Sequence, residues 1–195
     1  MVVLLSGGLD SMVVAELARE RGILTGCVFV DYGHPAQQQE GWRAFAYCGE
    51  RRLRLRVVHV FGLALGDMEA AVGARVVPCR NAVLLAAAAN AAHAMGGIAL
   101  AIGAIADDQR EYADCRPEFF DAMSAAVGLQ INAPLLGLSK REVVAEARRL
   151  GLDPGASWSC YGPGPEPCGT CPSCVARSAA MQATFGHAGR PHDPS

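Results

Sequence analysis

Residues 2–11 read VVLLSGGLDS, and this stretch decides which class of fold the chain adopts. Its first part, residues 2–5, is a short apolar run of valine and leucine, which is typical of a buried parallel strand. Gly7 and Gly8 break the run, and residues 10–21 then carry apolar side chains at helical spacing. Glycines let a backbone approach an anion closely, and the N–H groups and dipole of a helix start favour negative charge. The stretch therefore predicts a phosphate-binding loop between a strand and a helix.

The same order of strand and helix repeats along the rest of the chain. Apolar, β-rich runs lie at residues 26–30, 55–60 and 98–102, and helical patterns lie at residues 37–53, 81–95, 117–127 and 139–150. Strands that alternate with helices predict an α/β fold, a Rossmann-like parallel sheet with helices on both faces. Ligands of such sheets bind outside the carboxyl ends of the strands, which is where the glycine loop lies.

The composition limits the classes of function. The chain has 195 residues, of which 51% are hydrophobic and 18% charged, so it can form a core and does not resemble a disordered protein. A net charge of -2 gives no sign of a broad nucleic-acid-binding face. The most apolar run, residues 82–95, is too short to span a bilayer, and residues 1–5 lack the basic flank of a signal peptide. We therefore expect a cytoplasmic protein with no membrane partner and no direct contact with nucleic acid.

Four of the eight cysteines lie close together near the C-terminus: Cys160, Cys168, Cys171 and Cys174. Gaps of two residues allow one tight turn to present two thiolates to one metal, and four cysteines complete the tetrahedral shell that zinc prefers. Four protein ligands leave no open position, so a zinc ion here would be structural. An iron–sulfur cluster and a redox-active thiol pair are the alternatives to zinc.

These patterns divide the chain into three parts. Residues 1–157 are predicted to form an ATP-binding domain around the phosphate loop, and residues 158–185 a small zinc knuckle that is too short to fold without a metal. Residues 186–195, GHAGRPHDPS, are rich in Gly, Pro and His and are predicted to be a disordered tail.

The loop SGGLDS at residues 6–11 is neither a Walker A loop nor a dinucleotide-binding glycine motif. A carboxylate at Asp10 does not favour bare phosphate, which predicts a magnesium ion between Asp10 and the phosphates. The structural alternative is an ordinary glycine turn with an Asp helix cap. The loop resembles the Ser-Gly-Gly-x-Asp-Ser signature of PP-loop ATP pyrophosphatases, and the resemblance implies cleavage of ATP between its α and β phosphates. The nucleotide contacts implied are Leu5, Ser6, Gly7, Gly8, Leu9, Asp10, Ser11 and, after the second strand, Asp31.

Later motifs narrow the resemblance to one family. Residues 77–81, VPCRN, resemble the Val-Pro-Gly-Arg-Asn segment of 7-cyano-7-deazaguanine synthases. Residues 112–116, YADCR, resemble a run of that family that ends in Tyr-Pro-Asp-Cys-Arg, and the string CGTCPSC at residues 168–174 resembles its zinc site. Together with residues 133–142, the matches follow in order and span almost the whole chain.

The resemblance implies an ATP-dependent conversion of 7-carboxy-7-deazaguanine and ammonia to 7-cyano-7-deazaguanine through an adenylated intermediate. It implies ATP, Mg2+ and structural Zn2+ as cofactors, and it leaves a homodimer open. The implied catalytic residues are Asp10, Ser11, Arg80 and Lys140, with Asn81 beside the ATP. The implied contacts to the deazapurine are Asp108, Tyr112, Asp114, Arg116 and Glu118. Each of these residues also has an ordinary structural alternative, as a residue of a helix start or as a solvated charge.

The chain departs from the family pattern at a few positions. Cys79 replaces a glycine, Arg110 and Glu111 replace a Ser-Gly pair, Ala113 replaces a proline, and His34 replaces the usual residue after Asp-Tyr-Gly. We expect these positions to lie on loops that line the substrate pocket. They therefore bear on the identity of the substrate more than on the adenylation step. Two alternatives follow: an adenylating enzyme with another acceptor, such as a tRNA thiolase, and a non-catalytic nucleotide-binding module whose zinc knuckle binds a partner.

Overall fold

A computed structural model describes residues 1–63 and 77–185 of the chain. Within these ranges the strands are β1 (Val2–Leu4), β2 (Gly26–Asp31), β3 (Leu55–His59), β4 (Ala99–Ala101) and β5 (Gln130–Asn132). They form one parallel sheet in the order β3-β2-β1-β4-β5. The predicted tail at residues 186–195 lies outside the described residues.

The helices connect the strands in the crossover pattern of an α/β fold. They are α1 (Leu9–Glu20), α2 (Gln37–Glu50), α3 (Arg80–Ala94), α4 (Ala106–Glu111), α5 (Pro117–Val127), α6 (Lys140–Arg149) and α7 (Pro172–Phe185). Short 3-10 helices lie at Ala113–Cys115 and Pro154–Ala156. None of the helices in the described ranges is long and apolar enough to cross a membrane.

Both faces of the sheet are buried, as the apolar strands predict. Alternate side chains of β1 and β2 point to opposite faces, so Val3 and Cys27 join one core cluster while Val2 and Val28 join the other. Helices α1, α2 and α6 cover the first face, and α3 and α5 cover the second. The predicted parallel sheet with helices on both faces is therefore confirmed.

Three elements were not indicated by the sequence pattern. Strand β5 has only three residues, of which one is buried, so it carries no periodic signal. Helix α4 has the sequence ADDQRE and no buried residue, so it has no apolar stripe. Helix α7 begins at Pro172, inside the cysteine-rich segment, where no helix was predicted.

The order of the strands places a crevice beside β1. The chain moves from β1 outward to β2 and β3 on one side, and then returns to β4 and β5 on the other side. Connections that leave neighbouring strands in opposite directions open a crevice at their carboxyl ends, where ligands of α/β proteins bind. The phosphate loop follows β1 and the loop at Gly103 follows β4, so both loops border this crevice.

Two glycines allow the loops around the crevice to pack tightly. Gly7 has a φ angle of 79°, and a Cβ atom added to it would lie 2.2 Å from the carbonyl oxygen of Glu40 in α2. A Cβ atom on Gly103 would lie 2.7 Å from the backbone nitrogen of Ser11. No side chain fits at these distances, so the phosphate loop is held by backbone contacts on two sides.

Gly7 should be far less tolerant of alanine than Gly33, which provides a matched control. Gly33 has a similar φ angle of 80° but no atom within 4 Å of its added Cβ. We expect Gly33→Ala to lose about 1–2 kcal/mol from the left-handed backbone alone. Gly7→Ala should lose about 1–3 kcal/mol more, because α2 has to move away from the new methyl group. Urea unfolding of both variants measures the difference, and equal losses would show that α2 is not held against the loop.

Cys79 is a second position where the backbone decides the outcome of a substitution. It precedes α3 in the left-handed region, with φ 57° and ψ 19°, and its side chain is exposed. We expect Cys79→Gly to raise the free energy of unfolding by up to about 1 kcal/mol, because glycine adopts this conformation without strain. Cys79→Ala removes the thiol but keeps the strain, so its stability should stay close to that of the wild type in the same urea titration. A gain in the alanine variant would assign the effect to the thiol instead.

Candidate active site

A cavity of about 250 Å³ lies at the carboxyl ends of β1, β2 and β4, in the crevice that the strand order creates. Its walls come from the phosphate loop, the segment after β2, the start of α3, the segment 102–115 and the segment 158–173. Of the residues proposed from sequence, the following line it: Ser6, Gly8, Leu9, Asp10, Ser11, Arg80, Asn81, Asp108, Tyr112 and Lys140. Positions that are up to 134 residues apart in the sequence therefore meet in one cavity, from Ser6 to Lys140.

The phosphate loop is ordered by hydrogen bonds among its own residues. The Ser11 hydroxyl donates to the Gly8 carbonyl oxygen (2.8 Å) and accepts from the Ser6 backbone N–H (3.2 Å). The Ser6 hydroxyl in turn accepts from the Gly8 N–H (3.4 Å). Gly8 is the N-cap of α1 and has no side chain that could accept the first N–H groups of the helix. The start of α1 is therefore suited to receive an anion.

An ion pair between Asp10 and Lys140 stands beside this loop. The Lys140 Nζ donates to both carboxylate oxygens of Asp10, at 2.7 and 2.8 Å, and both side chains are about four-fifths buried. Lys140 is the first residue of α6, and its backbone N–H donates to Asp107 (3.0 Å). Ser139 caps the same helix in a capping box with Glu142. The cation is therefore carried by a well-anchored helix start and neutralised by Asp10.

Asp108 lies on the same wall as this pair. Its carboxylate accepts a hydrogen bond from the Ile105 N–H at 3.1 Å, which caps α4. Burial raises the pKa of Asp108, and the negative charge of Asp10 acts in the same direction, while the Ile105 N–H and Lys140 oppose the rise. One oxygen of the Asp108 carboxyl group therefore accepts a backbone hydrogen bond, and the surroundings in the cavity disfavour ionisation of this group.

Arg80 brings a second cation into the cavity from the start of α3. Burial lowers the pKa of Arg80, but Tyr32, Tyr161 and Asp114 outweigh that effect, so its pKa is raised overall and the guanidinium stays charged. Arg80 makes no salt bridge with a carboxylate in the described parts of the chain. The adjacent Asn81 is fixed by donating from Nδ2 to the Asp114 carbonyl oxygen at 3.0 Å. Arg80 is therefore a positioned cation that has no acidic partner of its own here.

Six of the residues proposed from sequence do not line the cavity: Leu5, Gly7, Asp31, Asp114, Arg116 and Glu118. Leu5 is buried and donates its N–H to the Val28 carbonyl oxygen at 2.8 Å, so it extends the sheet pairing. Asp114 accepts from the backbone N–H of Asn81 (3.3 Å), which orders the start of α3. Asp31 accepts from Gly33 and lies 3.2 Å from His59 Nδ1, in a neighbouring groove between α2 and β3. Direct ligand contacts by these residues stay a prediction.

Tyr32, Tyr161 and Glu40 line the cavity although they were not among the site residues proposed from sequence, and His34 lies with them. Tyr32, His34 and Tyr161 form an aromatic wall, with ring centroids 5.5 Å apart for Tyr32 and His34 and 6.1 Å apart for His34 and Tyr161. Burial and the charge of Arg80 lower the pKa of His34 to about 4, so the ring is neutral. Tyr32 and Tyr161 stood in motifs that carried the family resemblance, but Glu40 had no such signal, because it lies one turn inside α2.

The departures from the family pattern are mostly outside the cavity. Of the five, only His34 lines it, while Cys79, Arg110, Glu111 and Ala113 are exposed and absent from its walls. The segments that carry these four positions still contribute to the cavity walls, through Arg80, Asp108 and Tyr112. The left-handed backbone at Cys79 gives a conformational reason for a glycine at the corresponding family position.

The four clustered cysteines form a compact donor set. The Sγ atoms of Cys160, Cys168, Cys171 and Cys174 all lie within 4.8 Å of one another, and Cys168 is the exposed member. Backbone N–H groups donate hydrogen bonds to three of these sulfurs. The Cys160 sulfur, for example, accepts from the N–H groups of Gly162 and Cys168, each at 3.3 Å. A single tetrahedral ion with metal–sulfur bonds of about 2.3 Å needs sulfurs this close together. The cysteines therefore fit one metal ion, as the spacing predicts.

This cysteine cluster is joined directly to the active-site cavity. Trp158 donates its backbone N–H to the Gly7 carbonyl oxygen at 2.9 Å and its ring N–H to the Cys160 carbonyl oxygen at 2.8 Å. Arg177 of α7 donates to Pro154, Ser157 and Ser159, which ties the helix to the same segment. The cysteine segment therefore holds one wall of the cavity against the phosphate loop.

Solved structures with a similar fold include enzymes that act on RNA or nucleotides. The U34-tRNA thiolase NcsA from Methanococcus maripaludis with its [4Fe-4S] cluster aligns with a TM-score of 0.56 at 17% identity, over 95% of this chain and 66% of that one. A 4-thiouridine synthetase in complex with RNA and ATP aligns with a TM-score of 0.56 at 23% identity, over 94% of this chain and 50% of that one. At these identities the likeness shows the fold alone.

Sequence comparisons are more specific. A family model described as "Queuosine biosynthesis protein QueC" matches residues 1–185. The 7-cyano-7-deazaguanine synthase of Koribacter versatilis is 39% identical over 93% of this chain and 88% of its own length. The synthases of Rhizorhabdus wittichii and Thermoplasma acidophilum are 37% and 34% identical, over 91% and 90% of this chain and 88% and 84% of their own lengths. The chain therefore belongs to the QueC family of 7-cyano-7-deazaguanine synthases.

Proposed function

We propose that this chain uses ATP to convert 7-carboxy-7-deazaguanine and ammonia into 7-cyano-7-deazaguanine. The observation that carries the proposal is the Asp10–Lys140 ion pair, which stands in the cavity beside the uncapped start of α1. Membership of the synthase family supplies the identity of the substrate and product. The distribution of the departures supports the same substrate, because only His34 of the five faces the cavity.

The reaction explains why a carboxylate substrate requires ATP. A carboxylate is a poor electrophile, because substitution would have to expel oxide. Transfer of the AMP group to a carboxylate oxygen releases pyrophosphate and creates a good leaving group. Ammonia then displaces AMP and leaves the amide after loss of a proton. A second AMP transfer, to the amide oxygen, lets AMP depart with that oxygen while two protons are lost, so one nitrile consumes two ATP.

The residues of the cavity suit the phosphate chemistry. The free N–H groups at the start of α1 and the Ser6 hydroxyl donate to phosphate oxygens, and Lys140 neutralises the charge that builds on the departing pyrophosphate. Asp10 has the oxygen ligands that Mg2+ prefers, and it can release Lys140 to the phosphates when the ion binds. A magnesium ion held by Asp10 would supply positive charge that offsets the negative charge of the phosphates. The Asp10–Lys140 pair therefore keeps both charges in place and compensated until ATP arrives.

The product assay tests this function directly. The protein is incubated with ATP, magnesium, ammonium and 7-carboxy-7-deazaguanine, and the products are followed by mass spectrometry. We expect the nitrile together with two AMP and two pyrophosphate per turnover. Lys140→Ala should lower kcat/KM by about 100- to 1,000-fold, because it removes a preorganised cation from the transferring phosphates. Arg141→Ala, next to it on the exposed side of α6, is the matched control and should keep wild-type turnover.

Other outcomes of the assay point to the alternative functions. Release of AMP without nitrile would indicate an adenylating enzyme with another acceptor, such as the tRNA thiolase named above as an alternative. ATP binding without any AMP under these conditions would indicate a nucleotide-binding module. Either result contradicts the proposed synthase activity.

We further propose that the cysteine cluster holds one zinc ion with a structural role. Four thiolates within 4.8 Å support a single ion over a multi-iron cluster, whose iron core would hold its cysteines farther apart. A protein shell of four ligands leaves no position for a substrate. Zinc would then order the segment that contains Trp158 and Tyr161, two residues of the cavity wall.

Metal analysis and a pair of serine variants test the zinc site. We expect one zinc and no iron per chain by elemental analysis of protein purified without oxygen. Cys171→Ser should lose the metal and at least about 3 kcal/mol of stability, a fraction of the ~10–16 kcal/mol with which four-ligand zinc sites bind. Cys79→Ser changes an exposed thiol outside the cluster and should keep the metal. Stoichiometric iron together with visible absorbance would contradict the zinc proposal and show that the cysteines hold an iron–sulfur cluster.

A further inference from the structure

Glu40 is an acidic residue of the cavity that the proposed chemistry does not use. It lies in the first turn of α2, where its backbone carbonyl packs against Gly7 and fixes the helix relative to the phosphate loop. Its side chain is four-fifths buried and lines the cavity. Within the described residues its carboxylate makes no hydrogen bond, and its one ion-pair neighbour is His34, whose Nδ1 lies 3.9 Å from Oε2.

His34 cannot serve as the donor that Glu40 lacks. Its Nδ1 accepts a hydrogen bond from the Ala36 N–H at 3.1 Å, so the lone pair of Nδ1 is occupied and the nitrogen carries no proton. A neutral ring of this tautomer offers no N–H on that side. The Glu40 side chain is therefore four-fifths buried and has no donor from the protein, so a ligand in the cavity can supply the hydrogen bonds that its carboxylate lacks.

The surroundings of Glu40 indicate the kind of ligand. The rings of Tyr32, His34 and Tyr161 stand on the same wall, so a flat heterocycle can pack beside the carboxylate. Arg80 lines the same cavity and has no carboxylate partner in the described ranges. The cavity thus offers three features: an aromatic wall, the Glu40 carboxylate without a hydrogen-bond donor, and Arg80 without a carboxylate partner. Together they match a planar ring that carries N–H donors at one edge and an anionic substituent elsewhere.

We propose that the Glu40 carboxylate accepts two hydrogen bonds from the guanine-type edge of the substrate, one from the ring N–H and one from the adjacent 2-amino group. This inference rests on the proposed function, which makes the substrate a deazaguanine. An ionised carboxylate is an acceptor only, and its two oxygens match two adjacent donors. An adenine edge places an acceptor beside its amino group and would turn a lone pair toward Glu40. Glu40 is thus the residue that selects the substrate ring over adenine-type and 2-desamino rings.

Binding and turnover of two substrates test this assignment. Dissociation constants and kcat/KM are measured for 7-carboxy-7-deazaguanine and its 2-desamino analogue, with ATP saturating or replaced by a non-hydrolysable analogue. We expect the wild type to prefer the 2-amino compound by about 10- to 100-fold, the usual strength of a hydrogen bond to a buried charge. Glu40→Gln should weaken its binding by a similar factor and bring the preference close to one. The KM for ATP should stay unchanged.

Two further variants separate recognition from folding. Glu40→Asp keeps an acceptor-only carboxylate, so it should retain a preference for the 2-amino compound with weaker overall binding. Glu50→Gln removes an exposed carboxylate from the other end of α2 and should leave both preference and affinity unchanged. Thermal unfolding of all variants confirms that they are folded at the assay temperature.

The pH dependence of binding gives an independent readout. Burial raises the pKa of Glu40 to about 7, and the charge of Arg80 limits the rise. The ionised form binds, so affinity for 7-carboxy-7-deazaguanine should fall as the pH drops through about 7, and Glu40→Gln should remove that step. The titratable groups that share the cavity with Glu40 are Asp10, Tyr32, His34, Arg80, Asp108, Tyr112, Cys115, Lys140 and Tyr161. Asp108, whose pKa is also raised, remains in the variant and would keep the step if it were the cause.

Three results would overturn the assignment. A Glu40→Gln variant with weaker ATP binding and intact 2-amino preference would place Glu40 at the adenine. Equal loss of kcat for both substrates with intact binding preference would make it a proton acceptor for ammonia. Unchanged affinity and preference would leave it without a role in recognition. If the wild type discriminates between the two compounds in binding but forms no nitrile, the proposed reaction fails while the assignment of Glu40 stands.

Discussion

The close packing around Gly7 is the constraint on which the rest of the site depends. Three separate parts of the chain meet at this residue: the phosphate loop itself, the Glu40 carbonyl of α2 and the Trp158 N–H of the cysteine segment. No residue with a side chain fits at the Gly7 position, and the backbone conformation there favours glycine as well. The phosphate loop is therefore aligned by its neighbours before any ligand binds, which lowers the entropy that binding must offset.

The charged side chains of the cavity fall into two groups, those that neutralise each other in the ligand-free protein and those that do not. Lys140 and Asp10 neutralise each other, and His34 is uncharged. In the described residues Arg80 has no carboxylate within salt-bridge distance, and the Glu40 carboxylate accepts no hydrogen bond. Charged groups that face a cavity without a carboxylate or hydrogen-bond partner from the protein often belong to a functional site. The Asp10–Lys140 pair serves the phosphates, and the Glu40 and Arg80 groups remain for the rest of the ligand.

The sequence contained enough information for the strands, the glycine loop between β1 and α1, and the grouping of the four C-terminal cysteines. Each of these features is local, since a strand, a loop and a helix follow one another at residues 2–21 and the four cysteines lie within one short segment. Strand β5 and helix α4 could not be predicted, because they are too short to carry a period and depend on their neighbours. Glu40 and Arg80 face one cavity only because α2 and α3 start at the same edge of the sheet. That juxtaposition is tertiary, and Glu40 on its own looks like any acidic residue of a first helical turn.

The hydrogen bond between Trp158 and Gly7 connects the proposed metal site to the phosphate loop. The cysteine cluster fixes Cys160, whose carbonyl oxygen holds the Trp158 ring, and the backbone of Trp158 holds the phosphate loop. A metal ion that favours this arrangement would tighten the binding of a nucleotide. Bound nucleotide would in turn tighten the binding of the metal by the same factor, because thermodynamic linkage is reciprocal. In a cell that is short of zinc, abundant ATP would then protect the folded enzyme, and oxidation of the thiols would be felt first at the phosphate loop.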